Sequence, residues 1–200
     1  TLLTRILLSV ALLLPLASHA GDAADFVAAS PAAQAQLLED WAAQPDPARL
    51  PLLDALQDGR LAGDSAKQPF IEQDGRYAAA EGDGQPQGTP KKLRLNNRLR
   101  ALLASTQASH QLLDAQPAVR LAAAQQLQKS AKPAQAALLD ARLTGETDEA
   151  VSEALALALA NLQLADADPS VRLRAVRLLG ESGEPLARTR LQALLDGSES

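Results

Sequence analysis

The second half of the chain repeats itself, and this restricts the possible folds more than any other feature of the sequence. Gln116-Pro117-Ala118-Val119-Arg120, Asp148-Glu149-Ala150-Val151 and Asp168-Pro169-Ser170-Val171-Arg172 open successive segments in a similar way. Asp or Pro suits the first turn of a helix, and Val begins its apolar stripe. In the second segment Val151, Ala154, Leu155, Ala158, Leu159 and Leu162 keep the i, i+3/i+4 spacing of a buried helical face. In the third, Val171, Ala175, Leu178 and Leu179 do the same, Gly180 is expected to stop the helix, and a returning helix carries Ala187, Leu191, Leu194 and Leu195 inward. Each unit has too little apolar surface to fold alone, so its core forms by stacking on neighbours.

Helices joined by short Asp/Pro turns, with small Ala on the packing faces, resemble HEAT-type α-solenoid repeats. The spacing is irregular: Val119 to Val151 is 32 residues and Val151 to Val171 is 20, so the middle unit is expected to lack a full second helix. The hydrophobic content is 46% and mostly Ala and Leu, whereas aromatics are 2%: Phe26, Trp41, Phe70 and Tyr77. Such a core favours helices over a β-sandwich. The expected fold class is therefore all-α, a HEAT-like α-solenoid array with one short β-hairpin, preceded by a signal peptide. The boundaries expected are 1–20 for the signal peptide, 21–59 for an N-terminal helical hairpin, 60–95 for a loop and β-hairpin insert, 96–196 for the repeats and 197–200 for a tail. N-terminal helices would cap one end of the array, and sequence after Ser200 the other.

The leader is read from Arg5, the apolar run Ile6 to Leu16, and Ala17-Ser18-His19-Ala20, which puts small residues at the −3 and −1 positions of a cleavage site. Spanning a membrane takes about 20 apolar residues, more than this run supplies. Its removal takes one base and no acid from a chain of formal net charge −5, so the remainder is acidic and poorly suited to general nucleic-acid binding. Cysteine is absent, and beyond the leader His110 is the one histidine. Disulfides, Cys-based metal sites and His-rich metal sites are not expected, and no cofactor is implied.

Between leader and repeats, Phe26 to Ala43 has helical spacing with Ser30 as N-cap and Pro31 at the first position. A second short helix follows Pro45-Asp46-Pro47 and ends near Gly59. Phe70-Ile71-Glu72-Gln73 and Arg76-Tyr77-Ala78-Ala79 flank Asp74-Gly75, a pair suited to a type I′ turn, and predict a hairpin packed on the helices through Phe70, Ile71 and Tyr77, or on a partner. Glu81 to Pro90, rich in Gly, Gln and Pro, reads as a flexible loop. A basic run, Lys91-Lys92-Leu93-Arg94-Leu95-Asn96-Asn97-Arg98-Leu99-Arg100, leads into a helix from about Asn97 to Leu113.

The stretches 70–77, 91–100 and 154–195, in that order, resemble the N-terminal region of urea ABC transporter permeases, within the branched-chain amino acid permease family. The resemblance implies a non-catalytic domain on the periplasmic face of the bacterial inner membrane. Its partners would be the permease core, a second permease subunit and a periplasmic urea-binding protein, with cytoplasmic ATPases indirectly. Membrane association would come only through a C-terminal part beyond this chain. No Gly-Lys-Ser/Thr phosphate loop is present to bind a nucleotide.

Candidate contacts are weighed against structural roles. Phe70 and Tyr77 suit either a docking patch or a cover for the helical core. Lys91, Lys92, Arg94, Arg98 and Arg100 suit either a contact with anionic headgroups or an acidic partner, or a solvated helix start. Asn96 and Asn97 suit helix capping, Arg120 and Arg172 suit ion pairs between turns, and His110 suits a surface position. Glu39-Asp40 diverge on a helix and do not make a general acid–base pair. The expected class is a non-enzymatic interaction domain. The other classes weighed are a free-standing periplasmic scaffold and a hydrolase built on His110.

Overall fold

The computed structural model describes residues 21–198; the leader read at 1–20 and the last two residues of the tail lie outside the described residues. The described chain is mainly helical, 64%, with a small antiparallel sheet.

Helices α1 (Asp22–Ala28) and α2 (Pro31–Ala43) come first. Ser30 caps α2 by accepting the Ala33 N–H at 3.3 Å, and Pro31 occupies a position whose N–H has no helical partner. Asp46 accepts the Ala48 N–H at 2.8 Å and starts the 3₁₀ turn Pro47–Arg49, which runs into α3 (Leu50–Gln57). The expected hairpin of α2 and α3 needs correction, because each finds its main partner in α4 (Asn97–Gln111). The stripe Leu99, Leu102 and Leu103 of α4 enters the same core as Leu38, Trp41, Leu53 and Leu56.

The sheet also exceeds the expectation. The hairpin of β2 (Pro69–Gln73) and β3 (Arg76–Ala79) is present, with φ of 50° at Asp74 and 77° at Gly75, as a type I′ turn requires. Two further strands, β1 (Leu61–Gly63) and β4 (Lys91–Lys92), complete a sheet of order β3-β2-β1-β4. A lone hairpin is marginal in water, and these added strands supply the missing pairing. The register sets Leu61 opposite Ile71, and Ala62 opposite both Phe70 and Lys92. By alternation Leu61 and Ile71 share the face that enters the helical core, and Phe70, Glu72, Tyr77 and Lys92 share the other. Gly63 is needed where the sheet meets α1, since a Cβ there would stand 2.6 Å from Val27 Cγ1.

The segment from Glu81 to Pro90 is fastened rather than free. Asp64 accepts N–H bonds from Ala66, Gln68 and Gln87 at 2.8 to 2.9 Å, and the Ser65 hydroxyl donates to the Gln87 carbonyl at 2.8 Å. Those N–H groups, Gln87 foremost, hold the Asp64 carboxyl below its usual range.

Beyond α4 the chain is a succession of helices: α5 (Pro117–Ser130), α6 (Ala136–Gly145), α7 (Glu149–Gln163), α8 (Pro169–Glu181) and α9 (Pro185–Ser198). α8 passes through Gly180, and the turn to α9 instead uses Gly183 at φ 69°. α9 also continues past the boundary expected at 196.

The three repeat openings share a turn. Asp114, Glu146 and Asp166 each accept the N–H two residues on, at 2.7, 3.0 and 2.8 Å. Arg120 NH1 donates back to the carbonyls of Asp114 and Ala115, and Arg172 NH1 donates likewise to those of Asp166 and Ala167. Asp148 and Asp168 cap α7 and α8 by accepting the N–H groups of Val151 and Ser170.

Apolar packing falls into three clusters in file. The first holds Phe26, Leu38, Trp41, Leu53, Leu61 and Leu103; the second Leu112, Leu127, Leu139, Val151 and Leu155; the third Leu157, Ala160, Ala175, Leu179 and Ala187. α4 gives Leu103 to the first and Leu112's neighbour Ala108 to the second, while α7 supplies the second and third from different faces. A helix with apolar residues on more than one face must be enclosed, and α7 is.

Candidate functional site

A concavity lies where α1, the Pro47–Arg49 turn, α3 and the sheet converge. It encloses about 380 Å³ between the apolar Ala23, Pro51, Leu52 and Ile71 and the charged Asp22, Arg49 and Glu81. Arg49 organises it. Its Nε donates to Asp22 Oδ2 at 2.6 Å, NH1 donates to the Gln44 carbonyl at 3.2 Å, and the guanidinium lies 5.2 Å from the centroid of the Trp41 ring. Trp41 in turn stacks on Phe26, with centroids 5.8 Å apart. Glu81 Oε1 accepts the Ala23 N–H at 2.7 Å, so every charged group at the cavity already has a partner inside the fold.

Behind Arg49 sits His110, and here the sequence expectation is corrected: the residue is 1% exposed, not a surface position. The α4 stripe turns it inward together with Thr106 and Ser109, small polar residues that are also buried. Its Nδ1 is 2.8 Å from the Thr106 carbonyl, an acceptor, so Nδ1 carries the proton and Nε2 faces Arg49 NH1 at 3.5 Å as acceptor. Burial pushes the imidazole pKa down, and the Arg49 charge adds to this against the Thr106 bond. Thr106 Oγ1 lies 2.9 Å from the Leu38 carbonyl and 2.8 Å from that of Leu102, linking α4 to α2. A reacting group in the cavity would meet Arg49 before His110, which does not line it.

The residues singled out from the sequence as an interaction surface do not form one patch. Phe70 is 3% exposed, so it belongs to the interior and is withdrawn as a docking residue; Tyr77, half-buried, lies across from Glu72. Lys91 and Lys92 lie on the edge strand β4, where lysine discourages strand addition, and Lys92 pairs with Glu72 at 3.1 Å. The N–H of Gly75, first, and Lys92 hold the Glu72 carboxyl below its usual range. Arg94 and Arg100 line an open groove of about 560 Å³ with Leu56, Asp58 and Leu93. Arg98 lines a different groove, of about 370 Å³, with Glu39, Lys129 and Lys132. Asn96 accepts the Leu99 N–H at 2.9 Å and is the cap of α4.

Arg120 does make an ion pair between turns, placing Nε and NH2 on the two Glu146 oxygens at 2.7 and 2.8 Å. This two-pronged contact pulls the Glu146 pKa down to about 2. At the far end of the fold the expectation needs correction: Leu178, Leu194 and Leu195, read from the sequence as inward, are exposed. Leu173, Val176, Leu178, Leu194 and Leu195 are 37% to 61% exposed, all on α8 and α9.

Among the described residues no three His, Asp or Glu side chains converge to hold a metal, and no helix is long and apolar enough to cross a membrane. Against known proteins, the chain matches no family model, no curated protein and no solved structure.

Proposed function

We propose that this chain is a non-catalytic, HEAT-like helical-repeat module that fronts the permease of a urea ABC transporter and holds partner proteins at the periplasmic face of the inner membrane. The observation that carries the module reading is the file of three apolar clusters, each tied to the next by a two-faced helix. From α4 onward the main contacts join nearby helices, α4 with α5, α5 with α7, α6 with α7 and α7 with α8, as in repeat arrays. The matching turns at Asp114, Glu146 and Asp166 support a common repeat ancestry for these helices. The link to urea uptake rests on the resemblance of 70–77, 91–100 and 154–195, and export on the leader at 1–20. The charged groups of the Arg49 cavity serve the fold, which favours a contact role over chemistry.

Crosslinking in intact cells, followed by mass spectrometry of peptides joined to residues 21–198, tests this. Crosslinks to permease subunits or a urea-binding protein are expected. Crosslinks confined to proteins unrelated to transport would refute the transport role and favour a free-standing scaffold.

A further inference from the structure

We propose that the groove between α2, α4 and the end of α5 is a binding site for a phosphate monoester of a small polyol, gripped by Arg98, Lys129 and Lys132. The groove, of about 370 Å³, draws its three cations from separate stretches of chain. Arg98 stands in the first turn of α4, Lys129 in the last turn of α5, and Lys132 just before the 3₁₀ turn Pro133–Gln135. Elsewhere the fold pairs Arg49, Arg60, Lys92 and Arg120 with carboxylates. None of the three groove cations enters an ion pair among the described residues, although Glu39 lines the same groove. Like charges gathered round one concavity raise its potential and attract an anion.

The lining sets the chemistry of that anion. Three positive charges and the one negative charge of Glu39 leave the groove at +2, the complement of a phosphate monoester, which carries about −1.5 to −2 at neutral pH. Cations from three elements can each take a different oxygen of a phosphoryl group, whereas a carboxylate offers only two. The volume leaves room for an organic body beside the phosphoryl group. Ala101 and Leu102 give that body a short aliphatic wall, and Ser105 and Ser130 supply hydroxyls. Among the described residues no aromatic ring lines the groove to stack on a nucleobase, so a polyol fits better than a nucleoside. Glu39 is then the acceptor for a ligand hydroxyl.

The floor is built from buried groups. Ser105 is 3% exposed, and its hydroxyl lies 3.3 Å from both the Ser130 carbonyl and Gln135 Oε1, two long contacts for a single proton. Gln135 Oε1 already accepts the Lys132 N–H at 2.7 Å, which fixes the turn that carries Lys132. The Ser105 hydroxyl can therefore turn to a ligand oxygen at little cost. An adjoining cleft of about 30 Å³, lined by Glu39, Ser105, Lys132 and Gln135, has room for about one water to join ligand and floor. The site rests on these residues alone and does not require the transport reading.

The test titrates the ¹⁵N-labelled full chain with glycerol phosphate at an ionic strength of about 0.1 M and follows amide shifts by NMR. Saturable shifts confined to Glu39 and to residues 98–105 and 129–135 are expected, weakening as salt is raised because the three cations are exposed. Lys129→Gln with Lys132→Gln should weaken binding about tenfold, whereas the same loss of charge by Lys91→Gln with Arg94→Gln should change it by under about twofold. Glu39→Gln should bring inorganic phosphate up to the affinity of the ester, since a repelling charge and the contact to the polyol are both lost. Vesicles of phosphatidylcholine containing phosphatidic acid present the same monoester at a lipid surface. Sedimentation with them that the Lys129 and Lys132 changes abolish, without shifts from the soluble ester, would assign the groove to a lipid headgroup; shifts from the soluble ester assign it to a soluble ligand. The proposal is overturned if neither probe binds, or if the Lys91 and Arg94 changes weaken binding as much as the groove changes. It is also overturned if an acidic peptide without phosphate competes as well as the ester, which would give the groove to a protein partner.

Discussion

Arg49→Met tests the N-terminal half of the fold most sharply, because it keeps the aliphatic stem and removes the guanidinium. The Arg49 side chain is 8% exposed and that of Asp22 is 20%, so the ion pair is largely shielded from water. Removing one partner of a buried pair costs about 3 to 5 kcal/mol, and the partial hydration of Asp22 favours the lower end. Loss of the cation over Trp41 adds about 1 kcal/mol, and a methionine sulfur against the same ring returns a similar amount. The net expectation is about 3 kcal/mol, or a fall in Tm of about 6 to 12 °C for a domain of this size. Thermal and urea unfolding followed by far-UV circular dichroism would measure it. Trp41 is the sole tryptophan, so its fluorescence reports the site directly. Combining the change with Asp22→Asn should cost less than the sum of the two, with a coupling of about 1 to 2 kcal/mol. A loss under about 0.5 kcal/mol, with no coupling, would show that the pair behaves as an exposed one and that the network does not hold the fold.

Three further outcomes are expected. His110 is held neutral, with its pKa lowered from 6.5 by burial and by Arg49, against Asp46 and Asp22, which pull the other way. The unfolded chain therefore binds the extra proton first, and stability should decline as pH falls below 6.5, a slope that His110→Gln should flatten in urea titrations at several pH values. Glu146 has the reverse arrangement, with its pKa depressed from 4.5 to about 2, so its contribution is full above 4.5 and is lost as pH falls toward 2; Glu146→Gln should lack that acid step in a Tm series. Gly63→Ala places a methyl 2.6 Å from Val27 Cγ1 and should destabilise. The cost should be about 1 to 3 kcal/mol in chemical denaturation, relieved by Val27→Ala in the same chain.

The helical part was legible because its signals are local. Asn96, Asp148 and Asp168 cap the helices that follow them, and Asp74-Gly75 makes the predicted turn. The sheet was only half legible: β1 and β4 are too short for alternation to show, and pairing with distant residues specifies them. Asp64 could have been found as an aspartate turn, since its side chain bonds N–H groups two and four residues on. Nothing local foretells the Arg49 network, whose members Asp22, Arg49 and His110 meet only through the packing of α1 and α4 around the first core. Reading His110 as exposed failed for the same reason, as a helix with Ser105, Thr106 and Ser109 on its inner face hides its burial behind polar residues. Reading Leu178, Leu194 and Leu195 as inward failed because periodicity shows a stripe but not whether anything covers it.

The central claim is that these residues front a permease. Fractionating source cells and blotting with an antibody to the helical repeats tests it most directly, by showing where the native species runs and at what size. The account predicts a membrane-bound band much larger than this chain. A soluble periplasmic band of roughly 19 kDa, the size expected if residues 1–20 are removed as a leader, would contradict it and make the module a protein that acts alone.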